Sequence, residues 1–196
     1  MSETVRILAL SGSLRRGSFN TAALRACREL APQQARIEIA PLREIPLYDE
    51  DLRERTGFPA PVDGLREQIR AADALLIATP EYNYSVPGVL KNAIDWISRP
   101  PNQPFADKPA AVFSVSPGIT GGIRAQWALK PVLSGLGALV LPRPEVAIGD
   151  ARTKFDDAGV LADEATRERL STFLRAFVNW IERLRAGGAH QKAQAP

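Results

Sequence analysis

Four short apolar runs recur at wide spacing along the chain, over residues 5–11, 72–80, 109–116 and 137–148. Each run is almost continuously apolar, which predicts strands that are covered on both faces, as in a parallel sheet. A weaker run over 36–42 alternates polar and apolar residues and predicts an edge strand. The pattern therefore predicts five strands.

Helical periodicity fills the intervals between these runs. Apolar residues spaced three and four positions apart predict helices over 20–31, 62–71, 87–98, 121–135 and 163–186. The fourth of these contains a proline, Pro131, and the pair Gly187 and Gly188 is expected to end the last one. Alternating strands and helices predict a parallel sheet with helices on both faces, where ligands bind at the carboxyl ends of the strands.

The length and charge of the chain predict a single domain that does not bind nucleic acid. A chain of 196 residues predicts one domain, over residues 1–186, followed by a polar tail over 187–196 that is expected to be disordered. The net charge of +3 is spread along the chain without a basic run, so nucleic-acid binding is not expected. No apolar run reaches the length of a membrane span and no signal peptide is apparent, so a cytoplasmic location is expected.

The chain has a single cysteine, Cys27, and a single histidine, His190. An intrachain disulfide, a dithiol redox pair and a cysteine–histidine zinc site are therefore excluded, and no metal site is expected. His190 lies in the polar C-terminal segment, which also argues against Ser-His-Asp and Cys-His catalysis. Cys27 shares the apolar stripe of its helix and is expected to face the core.

The segment after the first strand, "SGSLRRGSFN" (11–20), predicts a phosphate-binding loop. Gly12 and Gly17 have the spacing of an ATP-binding P-loop, but Ser18 and Phe19 replace the lysine and the hydroxyl residue that such a loop needs. Hydroxyl groups, guanidinium groups and the start of a helix suit a monophosphate held by hydrogen bonds instead of a metal. The alternative is an ordinary strand-to-helix turn with Ser18 as the N-cap.

The segment after the third strand, "TPEYNYSVPGVLKNAIDWISRP" (79–100), exposes polar and aromatic groups before a helix begins. Tyr82 and Tyr84 could flank a flat ring, while nearby backbone groups read its edge. The alternative is a polar turn whose tyrosines pack on the rim of the sheet.

These two segments resemble the NADPH-dependent FMN reductase family, in particular its bacterial quinone and chromate reductase branch. The segments "IPLYDEDL" (45–52) and "SVSPGITGGIRAQ" (114–126) agree with it in the same order, and the resemblance covers about residues 5–184. It implies a flavodoxin-like α/β fold: a doubly wound, five-stranded parallel sheet of order 2-1-3-4-5 in three α/β/α layers. It also implies bound FMN, with NADPH or NADH as the electron donor.

The resemblance assigns cofactor-binding residues by position. Arg16, Ser18 and Asn20 are the main candidates for direct phosphate contact, and Gly118, Gly121 and Gly122 would keep the third loop close to the ring. The full set of implied FMN-binding residues is Ser13, Leu14, Arg15, Arg16, Gly17, Ser18, Phe19, Asn20, Pro80, Glu81, Tyr82, Asn83, Tyr84 and Ser116. No catalytic side chain is expected, because FMN carries the chemistry.

The implied reaction passes a hydride from NAD(P)H to FMN and then electrons to a quinone, free flavin, chromate or an azo or nitro compound, by a ping-pong mechanism. The preference between the two nucleotides stays open, and Arg15 or Arg16 could accept a 2′-phosphate if not engaged with FMN. A homodimer or homotetramer is implied, with Arg124 and Glu145 in subunit contacts. Trp127 and Pro131 depart from the family pattern in that helix.

Two other classes of function are compatible with the same residues. One is an FMN-binding electron carrier without pyridine-nucleotide activity, although such carriers are usually strongly acidic and this chain is not. The other is a phosphate-binding α/β domain without flavin that docks a partner protein. The colour of the purified protein and its response to NAD(P)H distinguish the three.

Overall fold

A central parallel sheet organises the chain. The computed structural model describes residues 4–194, and of residues 188–194 the backbone alone. The strands are β1 (Val5–Ser11), β2 (Ala35–Ala40), β3 (Ala74–Thr79), β4 (Pro109–Val115), β5 (Leu139–Val140) and β6 (Val146–Ile148). Their order is β2-β1-β3-β4-β5, and β6 also pairs with β4. The predicted α/β class and the order 2-1-3-4-5 are confirmed.

Helices cover both faces of the sheet. They are α1 (Phe19–Glu29), α2 (Glu50–Thr56), α3 (Ala60–Ala71), α4 (Gly88–Ile97), α5 (Ile123–Gly135) and α6 (Glu164–Gln194). Side chains alternate across β1, so that Ile7 and Ala9 join the core formed with α1 and α6, whereas Leu8 and Leu10 join the core formed with α3, α4 and α5. β3 and β4 are buried along their whole length and almost continuously apolar, because each face of the sheet has its own core.

The last predicted strand, over 137–148, is divided in two. β5 pairs with the start of β4, through Pro109 and Leu139, and β6 pairs with its end, through Val115 and Ile148. Pro142 and Pro144 lie between them and have no N–H to donate to a strand ladder. The sheet therefore has six strands where the apolar pattern predicts five.

Two predictions about helices are wrong. The helical periodicity predicts no helix between the strand over 36–42 and the helix over 62–71, but the structure has α2 there, which begins after the N-cap Asp49 and ends at Gly57 with a φ of 77°. No residue of α2 is buried, so it has no apolar stripe to reveal it. The predicted end at Gly187 and Gly188 is also wrong, because α6 continues to Gln194. The division into a domain over 1–186 and a tail over 187–196 stays a prediction. The side chain of His190 is not among the side chains that the structure describes.

Cys27 is fully buried between α1 and the sheet, as predicted. Burial raises the pKa of its thiol far above the usual range, because the apolar surroundings penalise the thiolate. Cys27 is therefore a packing residue. Among the described residues, no helix is both long enough and apolar enough to cross a membrane.

Candidate functional site

Three loops meet at the carboxyl edge of the sheet. They follow β1, β3 and β4, which are neighbours in the sheet, although the loops are far apart along the chain. This is the edge where open α/β sheets bind their ligands. The three segments selected from the sequence are thus brought together.

Ser18 organises the loop after β1. Its N–H donates to the carbonyl oxygen of Arg15 at 3.1 Å, and its Oγ accepts from the N–H of Thr21 at 3.3 Å, which makes it the N-cap of α1. Gly12 lets the loop lie against the next one, because a Cβ there would come within 3.2 Å of Pro80 Cδ and Leu90 Cδ2.

The same loop presents unpaired backbone donors. Within the described part of the chain, the N–H groups of Arg16, Gly17, Phe19 and Asn20 have no hydrogen-bond acceptor. The last two belong to the first turn of α1, where free N–H groups and the helix dipole favour an anion. The loop therefore has the donors that a phosphate needs.

Asn20 joins α1 to the end of β4. Its side-chain Nδ2 donates to the carbonyl oxygen of Val115 at 2.9 Å, and its Oδ1 accepts from the N–H of Val115 at 3.0 Å. The side chain is buried. Since both polar atoms are engaged with Val115, the backbone N–H of Asn20 is the group best placed to meet a phosphate.

Two arginines flank the loop. Arg15 donates to the carbonyl oxygen of Gly17 and lies 5.5 Å from the centroid of the Phe19 ring. Phe19 packs on Phe155, with 5.2 Å between ring centroids. Arg152 lies on the short 3₁₀ turn Ala151–Thr153 that follows β6.

The loop after β3 forms a tight turn. The N–H of Tyr82 donates to the carbonyl oxygen of Ser85 at 3.2 Å, and the N–H of Ser85 donates to that of Tyr82 at 3.0 Å. The two central residues, Asn83 and Tyr84, have φ angles of 48° and 66°, which is the pattern of a type I′ turn. This turn leaves the rings of Tyr82 and Tyr84 exposed.

A buried carboxylate braces that turn against α5. Glu81 accepts from the backbone N–H of Arg124 at 3.2 Å, and its Oε1 lies 2.5 Å from Nε and Nη2 of the Arg124 guanidinium group. The same guanidinium group stacks 3.7 Å from the centroid of the Tyr84 ring. Glu81 and Tyr84 are thus held by contacts within the chain, and Arg124, which the resemblance placed in subunit contacts, forms these contacts in the monomer.

The loop after β4 is anchored at both ends. The N–H of Ser116 donates to the carbonyl oxygen of Ile148 at 3.0 Å, and its Oγ accepts from the N–H of Gly118 at 3.1 Å. Gly121 has a φ of 62°, and a Cβ there would lie 2.7 Å from the backbone nitrogen of Ile148. This glycine therefore allows the loop to pass close to β6, a cause that differs from the expected approach to a flavin ring.

One cavity of about 310 Å³ connects the three loops. Seven of the predicted cofactor-binding residues line it: Ser13, Arg15, Ser18, Phe19, Asn20, Pro80 and Tyr82. The other predicted residues lie outside its lining: Leu14, Arg16, Gly17, Glu81, Asn83, Tyr84 and Ser116. Val115, Pro117 and Arg152 also line it and were not predicted. Pro117 could have been predicted, because it directly follows the predicted residue Ser116. Arg152 could not, because it lies outside the three loop segments and no motif around it indicates a ligand.

The comparisons with known proteins agree with this geometry. The family model described as NADPH-dependent FMN reductase matches residues 5–153. This chain belongs to that family. The chain is 52% identical over 185 residues to the NAD(P)H-dependent FMN reductase of Pseudomonas aeruginosa, covering 94% of this chain and all of that protein.

Two further relatives have other names. The quinone reductase of Escherichia coli is 46% identical over 187 residues, covering 94% of this chain and all of that protein. The solved structure of FerB, a flavoenzyme NAD(P)H:(acceptor) oxidoreductase from Paracoccus denitrificans, superposes with a TM-score of 0.84 at 36% identity, covering 92% of this chain and 98% of that one. As a member of the FMN reductase family, the protein is an oxidoreductase that uses FMN with NAD(P)H.

The residues of the cavity fit FMN. Free N–H groups and the guanidinium groups of Arg15 and Arg152 suit a phosphate, and no carboxylate among the described residues lines the cavity to repel it. Pro80, Tyr82 and Pro117 supply apolar surface on the side of the other two loops. FMN has a phosphate at one end and a flat, largely apolar ring at the other, which matches the polar and apolar sides of the cavity.

Proposed function

We propose that this protein is an FMN-dependent NAD(P)H:quinone reductase, with chromate and free flavin as further acceptors. The observation that carries the proposal is the cavity itself, in which a loop of free amide donors faces a turn of exposed tyrosines. The names of the relatives from Pseudomonas aeruginosa and Escherichia coli support the choice of donor and acceptor. The proposed location is the cytoplasm, where NAD(P)H is supplied.

The residues of the chain have three roles in this proposal. The four free amides of the loop after β1, with Arg15 and Arg152, would hold the phosphate. Pro80, Tyr82 and Pro117 would orient the ring and shield it from water. The ion pair between Glu81 and Arg124 keeps the turn after β3 in place. Bound FMN supplies the hydride acceptor and the electron store.

A side chain that transfers protons is not required at this site. No carboxylate or imidazole among the described residues lines the cavity, so positioning and backbone donors are the protein's contribution. We propose ping-pong kinetics, in which donor and acceptor occupy the exposed side of the cavity in turn. Parallel double-reciprocal plots at several quinone concentrations would support this order, and intersecting plots would contradict it.

The first experiment is a visible spectrum of the purified protein under anaerobic conditions, before and after NADPH or NADH is added. The expected result is an oxidised-flavin band that either nucleotide bleaches and that a quinone then restores. A flavin band that neither nucleotide bleaches would favour the electron carrier. A colourless protein that cannot be reconstituted with FMN would contradict both the reductase and the electron carrier.

We propose a homodimer or homotetramer that uses the exposed apolar side chains beside the site. Trp127 on α5 is 58% exposed and Ile119 in the loop after β4 is 85% exposed, which is costly for large apolar groups in water. Trp127→Glu should therefore reduce the mass found by sedimentation velocity. Val160→Glu, which changes another half-exposed apolar residue, is the control. A monomeric wild-type protein would overturn this proposal.

A further inference from the structure

A second cavity, of about 270 Å³, adjoins the one just described, and both have Ser13 and Arg15 in their walls. It lies between the loop after β1, the first turns of α1 and the segment that follows β2. Four arginine side chains line it: Arg15, Arg16, Arg25 and Arg43. We call this cavity the arginine pocket.

The positive charges of the arginine pocket are not compensated. No aspartate or glutamate lines it, and none of its four guanidinium groups has a carboxylate within 4.0 Å in the described part of the chain. Other arginines of this protein are paired, for example Arg6 with Asp73 and Arg124 with Glu81. Clustered guanidinium groups without carboxylates repel one another, so the cluster is expected to serve an anion.

Two of the four side chains are positioned by the loop backbone. Arg43 donates to the carbonyl oxygen of Leu14, and Arg15 donates to that of Gly17. These contacts orient the guanidinium groups but leave their charge in place. Arg16 and Arg25 have no hydrogen-bond partner among the described residues, so their donors are available.

The chemistry of the pocket suits a phosphate monoester. A guanidinium group offers paired N–H donors that match two phosphate oxygens, and the hydroxyl group of Ser13 adds a further donor. The single phosphate of FMN is already provided for by the adjoining cavity, with its free amides, Arg15 and Arg152. The arginine pocket therefore has donors for a second phosphate close to the flavin site.

We propose that the arginine pocket binds the 2′-phosphate of NADPH and thereby makes NADPH the preferred donor. The inference rests on the proposed function, in which NAD(P)H occupies the exposed side of the flavin cavity, which the arginine pocket adjoins. NADPH differs from NADH only in this group, and a phosphate monoester carries about −1.5 to −2 charges at pH 7. Each phosphate of the pyrophosphate link carries a single charge, so the monoester gains most from the clustered arginines, of which Arg16, Arg25 and Arg43 do not line the flavin cavity.

The test measures ligand binding to the FMN-loaded protein by calorimetry. The probes are adenosine 2′,5′-bisphosphate and adenosine 5′-monophosphate, which differ only in the 2′-phosphate. Wild type should bind the bisphosphate more tightly, and Arg25→Ala with Arg43→Ala should reduce that advantage by about 10- to 100-fold, as expected for lost charge-assisted hydrogen bonds. Binding of the monophosphate and the FMN content should stay unchanged.

Two further variants control for the general loss of positive charge and for disturbance of the loop. Arg28→Ala changes an exposed arginine on α1 that does not line the pocket, and it should leave both affinities as in wild type. Arg25→Glu introduces repulsion at a side chain that makes no hydrogen bond to the loop, so it should remove the bisphosphate preference without disturbing the loop that Arg43 supports. The KM for NADPH should rise in Arg25→Glu while that for NADH changes little.

Other outcomes would overturn the assignment. Equal losses for both probes would mean that the pocket holds a phosphate common to both nucleotides, and loss of FMN would assign it to the flavin site. Unchanged binding in Arg25→Glu, or no bisphosphate preference in wild type, would show that the pocket has no such role. Failure of the proposed function is seen separately, as a wild-type flavin that neither NADPH nor NADH reduces.

Discussion

Asn83 and Tyr84 are two neighbouring residues with positive φ angles in the turn after β3. A left-handed conformation costs roughly 1–2 kcal/mol for a residue with a side chain, and less for asparagine. The two hydrogen bonds between Tyr82 and Ser85 and the stacking of Arg124 on Tyr84 offset this cost. Strain that is maintained in this way is typical of functional sites, and here it presents two exposed tyrosines.

A glycine in the loop after β4 gives a prediction about stability. Gly121→Ala should lower the free energy of unfolding by about 2 kcal/mol or more, because the residue has a φ of 62° and a Cβ would lie 2.7 Å from the nitrogen of Ile148. Urea denaturation measures the change. Gly118→Ala is the control, because its Cβ would make only an ordinary contact, 3.6 Å from Ser116 Oγ. Equal effects of the two substitutions would contradict the prediction.

Elements of this fold are joined by buried side chains that bond to backbone groups. Arg66 of α3 is 1% exposed and donates to the carbonyl oxygens of Ile97, Arg99 and Pro101 at 2.6, 2.8 and 2.6 Å. It also stacks 4.0 Å from the centroid of the Phe58 ring. Burial lowers the pKa of Arg66 through the loss of hydration. Arg66 thus fixes the turn after α4, as Asn20 fixes the end of β4.

Arg66→Met should test this connection. The substitution keeps the long apolar stem but removes the donor from one buried and two partly buried carbonyl groups, so the free energy of unfolding should fall by about 2–4 kcal/mol. Arg70→Met is the matched control, since Arg70 lies one turn further along α3, is partly exposed and donates to the carbonyl oxygen of Asn102. Its loss should cost about 1 kcal/mol or less. Similar losses in both variants, measured by urea denaturation, would refute the role of Arg66.

Across the whole molecule, several carboxylates have pKa values below their ordinary range. Hydrogen bonds from Arg53 and then from Tyr48 lower the pKa of Glu50 to about 2. A hydrogen bond from Lys130 lowers the pKa of Glu145, and hydrogen bonds from Thr166 and Lys154 lower that of Asp163. A lowered pKa in the folded state stabilises the fold above the pKa of the unfolded chain, and this stabilisation is lost as the pH falls through the folded value.

The stability of the protein should therefore decrease in acid. The urea midpoint should change little between neutral pH and about pH 5, and should then fall steadily toward about pH 2, as these carboxylates become protonated. Asp163→Asn should be less stable than wild type at neutral pH, and the difference should disappear at the acid end. A difference that persists there would show that the carboxylate charge is not its cause.

Much of this protein was predictable from its sequence. Strands β1, β3 and β4 are evident because buried strands are almost continuously apolar, and β2 is evident because an edge strand alternates polar and apolar residues. Most helices are evident because they repeat their apolar residues every three or four positions. The order of the sheet and the flavin came from two loop motifs that resemble a known family. The predicted contacts with FMN remain predictions, since these motifs identify loops and not the direction of each side chain.

The tertiary structure alone decided how distant segments complete the site. It brings Arg152 to the phosphate loop, joins Asn20 to Val115 and places Arg43 beside Leu14. It also reveals α2, which has no apolar stripe, and divides the last strand at its prolines. Local sequence determines periodicity and turns because these depend on neighbouring residues. The composition of a pocket depends instead on packing between residues far apart in the chain, which leaves no local pattern.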